Sequence, residues 1–527
     1  PTGATGLTGP QGPIGLTGPT GATGLDGSLN AWALVGNSNT IDNVNFLGTI
    51  DNIPFNVKVN NEKSGRIDHL LGNSSWGYQS SKSISTGTQN SSFGYQSLLT
   101  NNTGDFNTAI GSFASFSNTS GGGNTSVGSK SAYSNTTGIS NVSVGYQSYY
   151  SNTTGNMNSA FGSYSLFSNT SGYYNEAIGH KALYSNTSGF DNSSIGFKSM
   201  YLNTTGFMNI ALGFNALYSN TTGYYNCAIG YKSLFANTTG VGNTALGMSS
   251  LLDNTIGFNN TAIGSNAMEN NTIGADNTSV GVAAMYLNIN GNSNVALGVS
   301  SLRVNNSGSN NTGVGVYSLK LNTIGNSNTA LGHSSSINLV SGSQNTSIGL
   351  QSLNSNIDGS NNTALGSLAL YYNTTGNNNI AIGFDAQTPS TTASNQIRIG
   401  NNLITYAGTQ VAWTYTSDRR WKSNIENSNL GLNIIKSLRP VSYFRKNDSN
   451  KKIEYGFIAQ EIEDVLNDLG IENAGLISVD EKGMYGVRYN DLIAPMVKAI
   501  QEQQKMIEEL IKQNEIILKK LMQNEKK

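Results

Sequence analysis

Between Gly77 and Gly383 the apolar positions of this chain recur neither every second residue nor every third to fourth, but every seventeenth. In a representative unit, Gly206 to Thr222, the residues Ile210, Ala211 and Leu212 form one apolar cluster and Ala216, Leu217 and Tyr218 a second; Asn220-Thr221-Thr222 closes it. Glycines hold the register, one series running from Gly104 through Gly121 to Gly376 and another, seven residues later, from Gly111 through Gly128 to Gly383. Three residues after each glycine of the first series stands an asparagine, from Asn107 to Asn379. A long unbroken period marks a solenoid, in which each coil buries its apolar side against the next. The Asn-x-Ala-Ile-Gly core alternates as a strand does, and Asn-Thr-Thr-Gly is turn chemistry. Seventeen residues are too few for a helix pair and predict two short strands and two turns per coil. Eighteen intervals at ~4.8 Å predict a shaft of roughly 85 Å.

Other segments follow other patterns. Residues 1–27 place Gly at every third position, with Pro10, Pro13 and Pro19 among the spacers. Only glycine fits the crowded axis of three wound polyproline II strands, so this tract predicts a collagen triple helix. Residues 28–76 carry strand-like runs such as Phe55–Val59 between turns at Asp51-Asn52 and Asn60-Asn61, a β-rich adaptor. The repeat shaft spans 77–385, and 386–416 form a bridge containing the β-like Gln396–Gly400. Helices are expected at Gly431–Leu438 and from about Tyr455 to Leu469, a hairpin turn at Asp448–Asn450, and strands near Leu476–Val479 and Met484–Tyr489. In the last segment, 491–527, Ile493, Ile500, Ile507, Asn514 and Leu521 recur every seven residues, with Met496, Gln503, Leu510, Ile517 and Asn524 three later. Isoleucine-rich a positions of this kind suit a trimeric coiled coil. Pro495 marks where the regular helix begins or kinks.

Composition sharpens the boundaries. The net charge is −1, which gives no steering towards nucleic acid or an anionic membrane. Of the 59 charged residues 35 lie from Ser417 onward, which sets a domain boundary there. A single cysteine, Cys227, excludes an intrachain disulfide, and no Cys/His spacing suits a metal; no cofactor is expected. No membrane-length apolar run is present, and the chain opens inside the triplet tract without Met, as a fragment would. The many Asn-x-Thr/Ser triplets, such as Asn135-Thr136-Thr137, match glycosylation acceptors but read better as stacked turn ladders. Tyr and Phe recur at one position from Phe116 and Tyr133 to Tyr218 and Phe235, a packing stripe or a platform for stacking sugars.

The Ala-Ile-Gly core resembles the β-roll heads of trimeric autotransporter adhesins, and Asn45–Thr49 with Pro54–Val57 resembles a stretch of phage-type tail-fibre proteins. The motifs Thr416-Ser417-Asp418-Arg419-Arg420-Trp421-Lys422, Arg439-Pro440-Val441 and Tyr455-Gly456-Phe457-Ile458-Ala459-Gln460-Glu461 closely resemble the self-cleaving intramolecular chaperone of endosialidase tailspikes. That resemblance implies a chaperone peptidase domain over 417–490, with Ser417 as nucleophile, Lys422 as general base and Thr416–Ser417 as the scissile bond. A lysine serves as base only when neutral, a state that desolvation and the adjacent Arg419 and Arg420 would favour.

Together these features predict a mainly β, homotrimeric fibre. Its parts are an N-terminal collagen triple helix, a β-roll shaft, and an α+β chaperone ending in a coiled coil. Such a fibre belongs on a virion or outside the cell, where its partners are its own copies and a host-surface glycan or protein, with neither nucleic acid nor membrane insertion. The alternative is a glycan-degrading tailspike. That chemistry wants paired carboxylates, and Asp105, Glu176, Asp191, Asp253 and Glu269 sit at unmatched positions, with His180 and His333 nine coils apart. A membrane-tethered transcription factor released by the same chaperone is excluded, because no basic DNA-binding segment exists.

Overall fold

The structure is a computed structural model that describes residues 2–16, 36, 38–411, 413–446, 448–472, 474–480 and 483–525. Residues 1 and 17–27 of the triplet tract, with 28–35 and 37 of the adaptor, lie outside the described residues. Residues 2–16 carry no hydrogen-bonded secondary structure and are exposed throughout, as one strand of a wound triplet would be alone.

The chain is mainly β. Strands β1 (Phe55–Val59) and β2 (Glu62–Asp68) form an antiparallel hairpin whose turn, Asn60-Asn61, takes left-handed φ of 48° and 57°. Strand β2 then pairs antiparallel with β3 (Asn73–Trp76), which is already the first strand of the solenoid. The hairpin therefore covers the open edge of the first coil, where unpaired backbone would otherwise invite misassembly.

From β3 to β22 (Ile397–Ile399), twenty strands among the described residues pair parallel, each residue opposite the one seventeen further on. Nineteen intervals give a shaft of roughly 90 Å at ~4.8 Å per coil. The ladder reaches beyond residues 77–385 at both ends: Gln396–Gly400, expected in a bridge, supplies the last coil.

The expectation of two strands per coil is corrected. After the four-residue β3 each coil has one three-residue strand, such as Ile210–Leu212 (β11), and its other side is a run of turns. Those turns still bond to the next coil: the amides of Leu217, Ser219 and Thr221 donate to the carbonyls of Ser233, Phe235 and Thr238 at 2.9–3.0 Å. Three residues per coil, here Met208, Asn215 and Leu217, adopt left-handed φ of 51–55°. A left-handed leucine is disfavoured by roughly 1–2 kcal/mol in isolation, so packing must hold it. Leu217 is fully buried and stacked between Met200 and Leu234 of the same core. Gly213, at φ +139°, is required twice over, because a Cβ there would also strike the carbonyl of Gly230.

Two buried asparagine ladders run the length of the core. The Asn209 Nδ2 donates to Asn192 Oδ1 at 3.1 Å and to the Gly223 carbonyl at 2.9 Å. Asn220 Nδ2 donates to Asn203 Oδ1 at 2.7 Å and to the same carbonyl at 3.0 Å. Each amide thus satisfies a neighbouring coil's amide and a turn carbonyl that water cannot reach. Asn135 is one of these rungs, bonded to Asn118 and Gly138 and 1% exposed, so its side chain is engaged inside the coil.

One coil breaks the pattern instructively. Leu339 occupies the position of the second asparagine ladder, and Ser336 occupies that of the core leucine. The leucine has moved three residues along the coil while the core stays filled, for Leu339 is fully buried and joins the same apolar cluster. The cost appears one coil earlier, where Asn322 Oδ1 is buried with no hydrogen-bond partner.

The C-terminal region is α+β. Helices α1 (Leu432–Ser437), α2 (Ala459–Asp468) and α3 (Ile493–Asn524) combine with two small hairpins. These are β23 (Val441–Tyr443) with β24 (Glu454–Gly456), and β25 (Ile477–Val479) with β26 (Tyr485–Val487). Ile434, Leu438, Ile462, Leu466, Leu476 and Leu492 form its core. Pro495 sits buried in the first turn of α3, where its missing N–H is harmless. Only the start of α3 packs on the domain; from Gln503 to its end every side chain is exposed. Residues 526–527 of the segment expected to form a coiled coil lie outside the described residues.

Candidate functional site: the Ser417–Lys422 turn

The site grows from a single tight turn. Asp418 caps the 3-10 helix Arg419–Trp421: its Oδ1 accepts the Arg420 amide at 2.8 Å, and the Lys422 amide closes onto the Arg419 carbonyl at 3.0 Å. This fold-back brings together two side chains five residues apart, and Lys422 Nζ donates to Ser417 Oγ at 2.7 Å. The residues expected as nucleophile and base are thus in direct hydrogen-bond reach, the geometry that serine activation would require.

Two parts of the expected electrostatics are corrected. Arg420 does not press on Lys422 as a bare charge, because its guanidinium grips Asp418, with Nη2 2.7 Å from Oδ2. The same guanidinium holds the Asp418 carboxyl below its usual range. Nor does one copy desolvate the pair, since Ser417 and Lys422 are both exposed, flanked by exposed Trp413, Tyr415 and Trp421.

A contact that the sequence did not reveal anchors the residues before the turn. Asn490 Nδ2 donates to the Tyr415 hydroxyl at 2.6 Å across 75 residues of chain. Next to it, Tyr489 Oη accepts the Phe457 amide at 3.2 Å, tying the same corner to the start of α2. No spacing rule could find such a pair; only the return of the chain after β26 brings Asn490 there. Arg439 and Glu461, from two of the sequence motifs, form an ion pair that lowers the Glu461 carboxyl. Glu502 of α3 accepts the first amide of α1, Leu432, at 2.7 Å, which holds its carboxyl down.

On the shaft the other candidates are placed singly. Asp105 accepts from the amide and hydroxyl of Thr88, and Glu176 from Ser193. His180 stacks on Phe197, and His333 lies edge-on to Tyr317. The aromatic stripe from Phe116 to Phe235 is a continuous stack with centroids 5.0–5.2 Å apart and rings within 15° of parallel. Its ring faces are spent on each other, so the stripe is packing and leaves edges, not faces, to a sugar. Cys227 is a partly buried free thiol on a strand, its pKa raised by burial. Among the described residues no helix is long and apolar enough to cross a membrane.

Residues 417–471 match a family model, peptidase S74, described as chaperone of endosialidase. The match begins at the serine of the turn and covers α1, β23, β24 and α2. A β-solenoid shaft followed by such a chaperone is the organisation of a fibre- or tailspike-like protein. No curated protein matches the chain.

Proposed function

We propose that the chain is one strand of a homotrimeric fibre whose C-terminal chaperone aligns three copies and then severs itself between Thr416 and Ser417. The observation that carries this reading is the 2.7 Å contact of Lys422 Nζ with Ser417 Oγ at the first residue of the chaperone match. With Lys422 neutral, its lone pair takes the Ser417 hydroxyl proton while Oγ attacks the Thr416 carbonyl carbon. The Thr416–Ser417 amide breaks as an ester to Oγ forms, and the proton passes to the freed Ser417 amine. Water then hydrolyses the ester, leaving a Thr416 carboxylate and a fragment that begins at Ser417. Asn490, through Tyr415, positions the segment that carries the scissile carbonyl.

Assembly has its own support. Ile493, Ile500, Ile507, Leu510, Ile517 and Leu521 of α3 are each about half exposed along one heptad seam, an apolar edge that a trimeric coiled coil would bury. The exposed triplets of residues 2–16 suit a collagen triple helix in the same trimer. Burial among three copies would also dry the Ser417–Lys422 pair, coupling the cut to assembly. The released fibre would then serve on a virion or outside the cell as an adhesin for a host-surface glycan or protein.

Intact and native mass of the expressed chain, beside Ser417→Ala and Lys422→Ala, test this directly. Wild type is expected as a trimer yielding a separate fragment that starts at Ser417, and both variants as uncut trimers. Uncut wild type would remove the cleavage, and a monomer would remove the fibre.

A further inference from the structure

The outward side of the shaft's sheet is not uniform. In the strands before the last, the middle residue, such as Ala211 or Ala245, points into the coil and is buried, while the first and third point out; in the last strand Arg398 takes the middle place and is exposed. The first position varies freely: Glu176, Ser193, Ile210, Cys227 and Thr244 follow one another on successive coils. The third never does. From Trp76 to Ile399 all twenty strands of the ladder place Trp, Phe, Ile, Leu or Val there. Strand formation does not demand this, because the adjacent outward column of the same strands accepts serine and glutamate. Yet most of this apolar column is exposed, with Leu212 at 45%, Leu246 at 43% and Leu331 at 46%, and the remainder, such as Val127 and Ile263, is half-buried.

We infer that this column is the shaft's self-association face, covered in the fibre by the same column of two further copies of this chain. The inference rests on the trimer proposed above and adds which face of the shaft closes it. At roughly 70 Å² each, twenty such side chains present on the order of 1,400 Å² per chain, well above the roughly 800 Å² per partner of a stable interface. An apolar strip of that size is uncommon on a surface that stays wet. Its constant width and its length, one residue per coil from first strand to last, select the occupant. Only another shaft lying parallel and in register repeats with the same spacing over the same distance. A glycan or a globular partner would need the apolar residues over a few coils and leave the others free to vary. The half-exposed heptad seam of α3 would be covered by the same association, so one three-fold arrangement accounts for both unpartnered faces.

Single cysteines in a Cys227→Ser background test the face separately from the trimer. Leu246→Cys and Leu331→Cys sit on the column; Thr222→Cys, on the turn side, is the control. Native mass should report a trimer for all three. Maleimide should label both column variants at least tenfold more slowly than Thr222→Cys, and a short bismaleimide should link chains only through the column. A trimer whose column cysteines label as fast as Thr222→Cys would overturn the face and leave the trimer standing. A monomer would overturn the trimer and the face with it. Protection of the column that appears only on adding glycan or lipid vesicles would also overturn the proposal, assigning the strip to that ligand.

Discussion

The shaft and the C-terminal domain solve opposite problems. In the shaft most contacts between coils join a residue to its counterpart, or to a near neighbour of it, in the adjoining coil, and the buried ladders are built from neutral amides. In the C-terminal domain the decisive contacts span 22, 70 and 75 residues, through Arg439–Glu461, Leu432–Glu502 and Tyr415–Asn490, and two of the three use charge. A one-dimensional stack propagates well once started, but every coil can accept nearly any other as its neighbour, so it has no means of choosing its register. The domain has a unique arrangement and can therefore choose. On the function proposed above, placing the domain after the shaft would let a specific fold align what an unspecific one then zips together, and removing it afterwards would leave the product without a route back.

The largest effect expected from this contrast is on assembly. A chain ended at Thr416 should give aggregated or mixed-register shaft, whereas residues 417–525 alone should fold as a soluble trimer; solubility and native mass check both. If the truncated shaft assembles into the same trimer, the division of labour is wrong.

Next in size is a fault in the stack. Gly213→Val places a branched side chain at φ +139° and against the Gly230 carbonyl, and should cost at least ~3 kcal/mol by backbone strain and displacement of the next coil. Hydrogen exchange should show protection lost around coils 195–230, with the C-terminal domain unchanged.

A missing rung is smaller. Asn220→Ala strands the Asn203 carbonyl oxygen and should cost about 1–3 kcal/mol, read from thermal unfolding of the shaft. The natural fault offers the reverse test. The pair Ser336→Leu and Leu339→Asn restores both columns and gives Asn322 Oδ1 its partner, so it should stabilise by about 1 kcal/mol or more. Leu339→Asn alone removes core volume without replacement and should destabilise.

Acid gives the mildest separation of the two regions. Glu461 and Glu502 titrate below the ordinary glutamate value of 4.5 in the folded domain, held by Arg439 and by the Leu432 amide. Asp418 lies below 3.8 through Arg420. A carboxyl depressed on folding contributes stability above its unfolded pKa and loses it as the pH falls through the folded value. Helical signal should therefore weaken first, from about pH 4.5 downward, while the asparagine ladders persist. Asp105, also depressed by its bonds to Thr88, should add acid sensitivity to the N-terminal coils of the shaft.

The sequence by itself determined the solenoid. A period of seventeen with Gly213 and Asn209 in fixed register leaves no other way to satisfy the backbone, and it placed Ser417 and Lys422 on one short segment. It located α3 through its heptad spacing and Pro495; α1 and α2 lie within the stretches expected to be helical, but α2 begins at Ala459 because Glu454–Gly456 pairs as a strand with Val441–Tyr443. Tertiary structure decided what spacing does not encode. Leu217 reads as a strand residue, but neighbouring coils hold it in a left-handed turn, so the second strand never forms. Gln396–Gly400 reads as a bridge until its pairing with Ile380–Ile382 makes it a coil. Leu339 reads as a lost asparagine until its burial shows it replacing the leucine missing at Ser336. Tyr415 and Asn490 meet only because a 75-residue excursion closes there. Local periodicity fixes what repeats; which distant surfaces come together depends on the one packing that buries them all at once.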